Sequence, residues 1–264
     1  MFHHELTDPE LAQISQEFDR EDHLLYYSYL TVRKRLTRHF GQYRSDGALL
    51  GIMAYCEGLP FFACAYLIKE KTCDLTQLFA YICSELRLPP TTCGSTLVSQ
   101  QDLAWFVNAF QTKLIRNMVI MKHAKSANLP SYYDEVQQIK RQDYGKVKTY
   151  MQEMDALIFT EDSFNRPFWG IMDEGELVAI GGFHSYQSDY VEIGNIGTAS
   201  RKRRQGFGKK VVSELTRQGK ACADDIYLYV EEHNHAAIRM YESLGYTRMH
   251  VVSMMEFGLH RRIE

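Results

Sequence analysis

The spacing of hydrophobic and polar residues changes about halfway along this chain of 264 residues. In the first half, apolar residues recur at helical intervals through residues 9–40, and a polar connection follows over 41–47. Residues 47–68 then contain two apolar runs, which Glu57 and Gly58 divide. A membrane-spanning helix needs about 20 continuous apolar residues, so a buried β-hairpin accounts for these runs better. The other elements that we expect in this half are helices over 75–86 and 102–110 and a strand over 114–121.

Residues 124–134 are mostly small and polar and contain Pro130. Because this composition is typical of a linker, we predict a boundary between an N-terminal domain, 1–130, and a C-terminal domain, 131–264. Strands and helices alternate in the second domain, which indicates an α+β (mixed α/β) fold with a mixed central sheet flanked by helices. We expect strands over 136–139, 168–172, 177–183, 190–198 and 226–230, helices over 143–154, 206–218 and 234–244, and one or two strands from Tyr246 onward.

The charge balance excludes several classes of protein. The chain has 30 Lys and Arg residues against 33 Asp and Glu, a formal net charge of −3, and 45% hydrophobic residues. These values are ordinary for a soluble globular protein and lack the overall basic character of a nucleic-acid binder. Residues 201–204 depart from this average, because Arg-Lys-Arg-Arg places four cations side by side. We expect them to face a bound phosphate group.

The cysteines and the N-terminus indicate the compartment. The six cysteines form no CxxC pair, and residues 1–5 lack the basic and apolar regions of a signal peptide. We therefore expect reduced thiols in a cytoplasmic protein, with no zinc knuckle and no membrane partner. His233 and His235 have no third ligand nearby in the sequence, and Cys222 has no matching His or Asn pattern. We therefore expect neither a metal site nor a covalent acyl-enzyme.

The strongest chemical signal is the segment Arg203-Arg204-Gln205-Gly206-Phe207-Gly208, which separates a predicted strand from a predicted helix. Two glycines let the backbone turn tightly, so that free amides at the start of the helix face one point. Those amides, the helix dipole and the basic side chains together form an anion site. A glycine-rich turn with a solvated basic edge is the alternative. The segment lacks the Gly-Lys-Ser/Thr of a Walker loop, and Val211 stands where a GxGxxG fingerprint needs glycine.

A second pattern lies downstream, in Asn234-His-Ala-Ala237-Ile-Arg-Met-Tyr241-Glu-Ser-Leu-Gly245-Tyr246. Asn234 is a good cap for a helix that follows a strand, and Gly245 is a good end for it. Ala237 and Tyr241 are four residues apart and share one face of that helix.

The two patterns together resemble the GNAT superfamily of acetyl-CoA-dependent N-acyltransferases. The first matches that family's Q/R-x-x-G-x-G/A loop through Arg203, Gly206 and Gly208. The second matches N-x-x-A-x-x-x-Y-x-x-x-G-F/Y at each fixed position. The resemblance extends over about residues 136–257, and it implies a GNAT-like sheet, acetyl-CoA as co-substrate and no metal.

In this family the loop amides bind the pyrophosphate of coenzyme A, and the backbone of the preceding strand pairs with the pantetheine arm. The family often has proline at the position of Ser200; serine weakens the turn but removes no ligand. The helix asparagine commonly contacts the pantetheine region, and the helix tyrosine is the usual general acid for the leaving thiolate. The coenzyme-binding residues so implied are Ile196, Gly197, Thr198, Arg203, Arg204, Gln205, Gly206, Phe207, Gly208, Lys209 and Asn234.

Acyl transfer to an amine makes three chemical demands. The amine must lose a proton, the thioester oxygen needs a hydrogen-bond donor as it becomes an oxyanion, and the sulfur leaves more easily with a proton. Tyr241 suits the third role, although a tyrosine at helical spacing is also typical of a core. For the oxyanion we expect a backbone N–H near Thr198.

Three carboxylates are candidates for the base that takes the amine proton. Glu192 stands 14 residues before Gly206, the offset of the catalytic glutamate in the histone-acetyltransferase branch of the family. Glu231 and Glu232, at the end of the next strand, are alternatives that would act through a water. A solvated position on a strand face is the other interpretation of Glu192.

The N-terminal domain has a similar order of elements but no second coenzyme loop. We interpret it as a degenerate GNAT-like copy that walls the acceptor pocket, mediates a homodimer or supports the core. The predicted function is an N-acetyltransferase that moves an acetyl group directly from acetyl-CoA to a primary amine of a small molecule. The alternatives are a coenzyme-binding regulatory protein without catalysis and an RNA- or protein-binding module that uses the basic cluster.

Overall fold

The computed structural model describes residues 1–258, except residues 60, 90, 91, 125–128, 131, 155, 157 and 158. The strands are β1 (Phe2–Glu5), β2 (Thr37–Tyr43), β3 (Leu49–Cys56), β4 (Phe62–Ile68), β5 (Cys93–Ser99), β6 (Gln111–His123), β7 (Gln137–Gln138), β8 (Phe168–Asp173), β9 (Glu176–Tyr186), β10 (Tyr190–Thr198), β11 (Asp225–Glu231) and β12 (Tyr246–Gly258). The α-helices are α1 (Asp8–Ile14), α2 (Leu24–Leu30), α3 (Leu75–Glu85), α4 (Leu103–Ala109), α5 (Tyr144–Glu153), α6 (Phe207–Lys220) and α7 (His235–Glu242). Within the described ranges, no helix has the length and apolar character needed to cross a membrane.

The chain divides into two structural units. Unit 1 consists of Met1–Asn117 and Val251–Glu264, and unit 2 consists of Met118–His250. The strands β6 and β12 therefore contribute residues to both. The predicted boundary at 130/131 stays a prediction. Within the predicted linker, 124–134, residues 125–128 and 131 lie outside the described residues.

Unit 1 contains a mixed sheet with helices on both faces. Its strand order is β1-β2-β3-β4-β5-β12, in which β4 and β5 run parallel. Successive residues of β3 point to opposite faces: Met53 packs with α3 and α4, whereas Ile52 packs with α1 and α2. Both side chains are fully buried, so an apolar layer covers each face of this sheet.

Residues 37–43 differ from the sequence prediction, which assigned them to the end of a helix and a polar connection. They form β2, which pairs with β3 along its whole length and with β1 at its end. The buried Gln42 side chain accepts a hydrogen bond from the Asp74 N–H (2.6 Å) and donates one to the Asp74 carbonyl (3.1 Å). These distant partners outweigh the local helical spacing. β1 and β5 also form by pairing with distant segments and were not predicted, whereas the hairpin within 47–68 is confirmed as β3 and β4.

In unit 2 the mixed strands are hydrogen-bonded in the order β6-β11-β10-β9-β8-β7, in which β10 and β11 run parallel. Helix α6 packs on one face, where a Cβ at Gly181 would lie 2.5 Å from Leu215 of α6. Helix α5 packs on the other face, where its Val147 shares a core cluster with Ile180. This mixed sheet flanked by helices confirms the predicted fold class.

A parallel strand–helix–strand succession occurs in both units. It is formed by β4, α3 and β5 in unit 1 and by β10, α6 and β11 in unit 2. In each unit the parallel strands pair over a few residues only: 62–63 with 94–95, and 190–192 with 225–227. The repetition agrees with the interpretation of the N-terminal part as a copy of the same architecture.

Candidate active site

The candidate site forms where two parallel strands separate. Strand β10 pairs with β11 only from Tyr190↔Asp225 to Glu192↔Tyr227, whereas its pairing with β9 continues to Thr198. Among the described residues, the edge of β10 that faces β11 therefore has no strand partner beyond Glu192. A cavity of about 1260 Å³ opens at this gap, between the end of β10, the start of α6 and helix α7.

Most of the residues that the resemblance implies for coenzyme binding line this cavity, and so does Tyr241. Gln205 and Glu192 do not line it. The Gln205 side chain donates a hydrogen bond to the Arg201 carbonyl (3.4 Å), within the loop itself. The fold thus brings the predicted loop, strand and helix residues together, and their roles as ligands stay predictions. The lining residues among them are Ile196, Gly197, Thr198, Arg203, Arg204, Gly206, Phe207, Gly208, Lys209 and Asn234.

Gly206 sets the backbone for the turn into α6. Its φ of 84° and ψ of −4° lie in the left-handed region, which favours glycine. The Lys210 N–H donates to the Gly206 carbonyl (3.1 Å), so the amides of Phe207, Gly208 and Lys209 have no acceptor inside the helix. Unsatisfied amides at the positive end of a helix dipole are suited to an anion, and these three residues line the cavity.

Gly208 allows the first turn of α6 to approach the end of β10. A Cβ at Gly208 would lie 3.0 Å from the Thr198 Oγ1 atom. A Cβ at Gly197 would collide with the Sδ atom of Met154, which follows α5. Both glycines line the cavity, so backbone atoms form its wall at these two positions. A site that binds a ligand through amides requires such a wall.

Two of the four clustered cations are neutralised by acids of the β8–β9 hairpin. The Arg201 guanidinium pairs with Glu176, and the Lys202 Nζ atom lies 2.5 Å from an Asp173 oxygen. Their charges hold the loop to the hairpin. Arg201 nevertheless lines the cavity, and the expectation that all four cations face a bound phosphate stays a prediction.

The other cations of the loop lie on the cavity. The Arg203 Nε atom donates to the Thr198 carbonyl (3.3 Å), which fixes this side chain at the end of β10. Arg204 has a positive φ of 61°. Arg204 and Lys209 have no ion-pair partner within the part of the chain that the structure describes. Both line the cavity, so their charges remain for an anionic ligand.

Helix α7 supplies the opposite wall. The Asn234 Oδ1 atom accepts a hydrogen bond from the Ala237 N–H (3.1 Å) and caps the helix, as predicted. Tyr241 is only 5% exposed, and its hydroxyl has no hydrogen-bond partner among the described side chains and backbone. Burial raises the pKa of Tyr241, so its phenol is protonated at neutral pH and can donate a proton or a hydrogen bond into the cavity.

Glu192 lies on the other face of the sheet from α6. Val191 faces that helix, because a Cβ at Gly219 of α6 would lie 3.7 Å from Val191, and neighbouring residues of a strand point to opposite faces. The Glu192 carboxylate has one oxygen 3.3 Å from His184 Nδ1 and the other 3.5 Å from Ser185 Oγ. Side chains of β9 thus hold the Glu192 carboxylate at the last residue of β10 that pairs with β11.

Two residues beside Glu192 were not predicted from the sequence. Tyr229 of β11 lines the cavity, and burial and the nearby Glu192 carboxylate together raise its pKa. The alternation of β11 could have assigned Tyr229 to the same face as Glu192. His184 sits at a shift of register between β9 and β10, and no local sequence signal marks such a shift.

The alternative bases differ in position. Glu231 lines the cavity, and one of its oxygens lies 3.1 Å from His233 Nε2. Glu232 does not line it. No set of three or more His, Cys, Asp or Glu side chains suited to a metal ion occurs in the described ranges of the chain.

Comparison with protein families adds a sequence-wide match. The family model described as "Acetyltransferase (GNAT) family" matches residues 132–246, which include the loop, α6, β11 and α7. Residues 132–246 form a GNAT acetyltransferase domain. Membership in this family implies acetyl transfer, and the family generally uses acetyl-CoA. No curated protein sequence matches the chain.

Solved structures resemble the whole chain that contains the GNAT domain. A Drosophila protein is 12% identical with a TM-score of 0.72, over 97% of this chain and 98% of that one. A GCN5-related N-acetyltransferase from Sphaerobacter thermophilus is 12% identical with a TM-score of 0.64, over 100% and 97%. A tandem GNAT protein from the clavulanic acid biosynthesis pathway is 12% identical with a TM-score of 0.61, over 98% of both chains. At such identities the likeness concerns the fold alone.

Unit 1 differs from the GNAT domain at the helix start that corresponds to α6. The first turn of α3 is capped by Asp74, whose Oδ1 atom accepts hydrogen bonds from the Thr76 and Gln77 N–H groups, both at 3.0 Å. No side chain among the described residues caps α6 in this way. These two amides of α3 are thus already occupied by a carboxylate of the same unit.

Proposed function

We propose that the GNAT domain transfers an acetyl group from acetyl-CoA to a primary amine of a small molecule. The observation that supports this most is the convergence of three features on one cavity. Among the described residues, they are an edge of β10 without a strand partner, an α6 N-terminus without a side-chain cap, and a Tyr241 hydroxyl without a hydrogen-bond partner. Each of the three meets a separate need of a coenzyme A thioester.

The coenzyme side of the proposal rests on backbone groups and charge. The edge of β10 at Ile196, Gly197 and Thr198 would pair with the amides of the pantetheine arm. The amides at the start of α6 would bind the pyrophosphate, since they face the cavity without acceptors. Arg204 and Lys209 would neutralise phosphate charge, because no Asp or Glu among the described residues forms an ion pair with either of them.

The proposed chemical roles depend on which groups can donate a proton or a hydrogen bond and which can accept a proton. Tyr241, kept protonated by burial, would give its proton to the departing sulfur. A backbone N–H near Thr198 would stabilise the oxyanion. Glu192 would take the amine proton through a bridging water or through Tyr229, because its own carboxylate does not line the cavity.

The size of the cavity supports a small acceptor. Its volume, about 1260 Å³, exceeds the roughly 300–1,000 Å³ of ordinary small-molecule pockets. A cavity of this size has room for the thioester end of the coenzyme and a small amine beside it. Glu231 in the lining would attract a cationic amine before it is deprotonated.

A coenzyme-binding protein without catalysis is the second candidate, and the position of Glu192 outside the cavity lining favours it. Substitution separates the two functions. In an enzyme, Tyr241→Phe and Glu192→Gln should each lower turnover by roughly a hundredfold, while the Kd for acetyl-CoA stays close to that of the wild type. In a non-catalytic protein there is no turnover to lose.

The proposal is tested in two steps. Isothermal titration calorimetry measures acetyl-CoA binding to the full chain, and a thiol reagent then measures coenzyme A release with a panel of amines. Binding followed by amine-dependent release supports the enzyme. Binding without release for any amine supports the second candidate, and the absence of binding contradicts both.

A further inference from the structure

Strand β9 contains a bulge beside the candidate site. Its ladder with β10 pairs Ser185 with Glu192 and Phe183 with Ile193, so His184 is an extra residue without an opposite partner in the ladder. Bulges bend a strand, redirect a side chain and are common next to active sites. The His184 side chain is therefore placed by a departure from regular pairing.

The redirected imidazole fits against a glycine. A Cβ at Gly194 would lie 2.9 Å from both the Nδ1 and Cε1 atoms of His184, so only glycine leaves room for the ring. Gly194 itself lines the cavity. In this position His184 Nδ1 lies 3.3 Å from Glu192 Oε1, so the bulge brings the ring to the proposed base.

The environment of the ring determines which nitrogen carries the proton. His184 Nε2 is buried and has no hydrogen-bond partner among the described residues. A buried N–H without an acceptor is destabilising, whereas Nδ1 has a carboxylate as acceptor. In the neutral ring the proton is therefore on Nδ1 and is donated to Glu192.

We propose that His184 is a positioning residue that holds the Glu192 carboxylate, through the Nδ1–H···Oε1 hydrogen bond, in place to receive the proton of the acceptor amine. This inference rests on the proposed function. As the amide C–N bond forms and the C–S bond breaks, one amine proton passes through a water to Glu192 Oε2 and the Tyr241 proton goes to sulfur. His184 keeps its own proton and fixes Oε1.

Other groups face Glu192 and could share this task. Ser185 Oγ lies 3.5 Å from Oε2, at the outer limit of a hydrogen bond, and Tyr229 approaches from β11. Neither contact explains why β9 contains a bulge or why β10 has a glycine at position 194. Both features are accounted for by the need to bring an imidazole beside the carboxylate.

Two variants isolate the hydrogen bond. His184→Leu fills the space without a donor, whereas His184→Asn keeps an N–H close to the position of Nδ1. Since hydrogen bonds to charged groups contribute about 1.5–3 kcal/mol, His184→Leu should lower kcat about tenfold to a hundredfold with an unchanged acetyl-CoA Kd. His184→Asn should recover most of it. In the Glu192→Gln background, His184→Leu should cause no further loss, and an equal loss there would overturn the inference.

A direct titration keeps the inference testable even if no amine is a substrate. ¹³C NMR of the whole chain, labelled on glutamate, follows the Glu192 carboxyl, which is assigned by comparison with Glu192→Gln. Loss of a donor to the ionised form should raise its apparent pKa by about one pH unit in His184→Leu and much less in His184→Asn. An unchanged titration in folded His184→Leu contradicts the inference. Lack of turnover by wild type contradicts only the proposed function.

Discussion

The conformation of Gly206 gives a substitution whose effect can be worked from one dihedral angle. Gly206 has a φ of 84°, and a Cβ added there would have no atom within 4 Å. Gly206→Ala therefore meets no steric obstacle, and its cost is the left-handed backbone alone, about 1–2 kcal/mol for an L-residue. Each kilocalorie should lower the Tm of a chain of this size by about 2–4 °C.

The same change should weaken coenzyme binding by more than its effect on stability explains. If alanine relaxes toward negative φ, the amides of Phe207 and Gly208 rotate away from their common point. Each hydrogen bond to a charged group contributes about 1.5–3 kcal/mol, so the loss of one should raise the Kd for acetyl-CoA about tenfold to a hundredfold. Isothermal titration calorimetry measures this Kd directly.

Gly47 offers a matched control. It has a φ of 90°, a Cβ there would also have no atom within 4 Å, and it does not line the cavity. Gly47→Ala should lower the Tm as much as Gly206→Ala and leave the Kd unchanged. Equal Kd values for Gly206→Ala and the wild type, or an equal loss of affinity in both variants, would refute the assignment of the α6 amides to the coenzyme.

Three further predictions concern single side chains. Tyr241→Phe should lower kcat by roughly a hundredfold. Because burial raises the pKa of Tyr241, its phenol keeps its proton as the pH rises. The wild-type rate should therefore not fall through ionisation of Tyr241 up to about pH 10. Arg204→Ala should raise the Kd for acetyl-CoA about tenfold and Lys202→Ala much less, because Lys202 is paired with Asp173; calorimetry at two salt concentrations checks both. Burial lowers the pKa of His39 to about 4, below its ordinary value near 6.5. The free energy of unfolding in urea should therefore be highest above about pH 6.5 and should fall by up to about 3 kcal/mol as the pH drops toward 4. His39→Gln should show a smaller dependence on pH.

The sequence predicted the GNAT domain well where its signals are local. Gly206 can adopt a left-handed turn that other residues resist, Asn234 caps the helix that follows it, and the chain around each needs no distant partner to take its shape. Tyr241 reaches the cavity because helical periodicity places it on the face of Ala237. These residues are on the elements that the spacing indicated.

Long-range pairing decided what the sequence did not predict. The spacing of apolar residues predicted a helix up to residue 40, but residues 37–43 form β2. They are a strand because they pair with β1 and β3, which come from other parts of the chain. His184 approaches Glu192 through a bulge, and a bulge depends on the register of two strands rather than on either sequence. The pairing of Arg201 with Glu176 is similar, since a run of four cations does not reveal which acids the fold brings to it.

The most direct test of the central claim is the amine-dependent release of coenzyme A from acetyl-CoA, measured with a thiol reagent and followed by mass spectrometry of the amine. We expect the wild-type chain of 264 residues to release free thiol only when an accepted amine is present, in a one-to-one ratio with the acetylated amine. Gly206→Ala should need a higher acetyl-CoA concentration for the same rate, and Tyr241→Phe should be slow at saturation. Thiol release that does not depend on any amine, or no release despite tight acetyl-CoA binding, would contradict it.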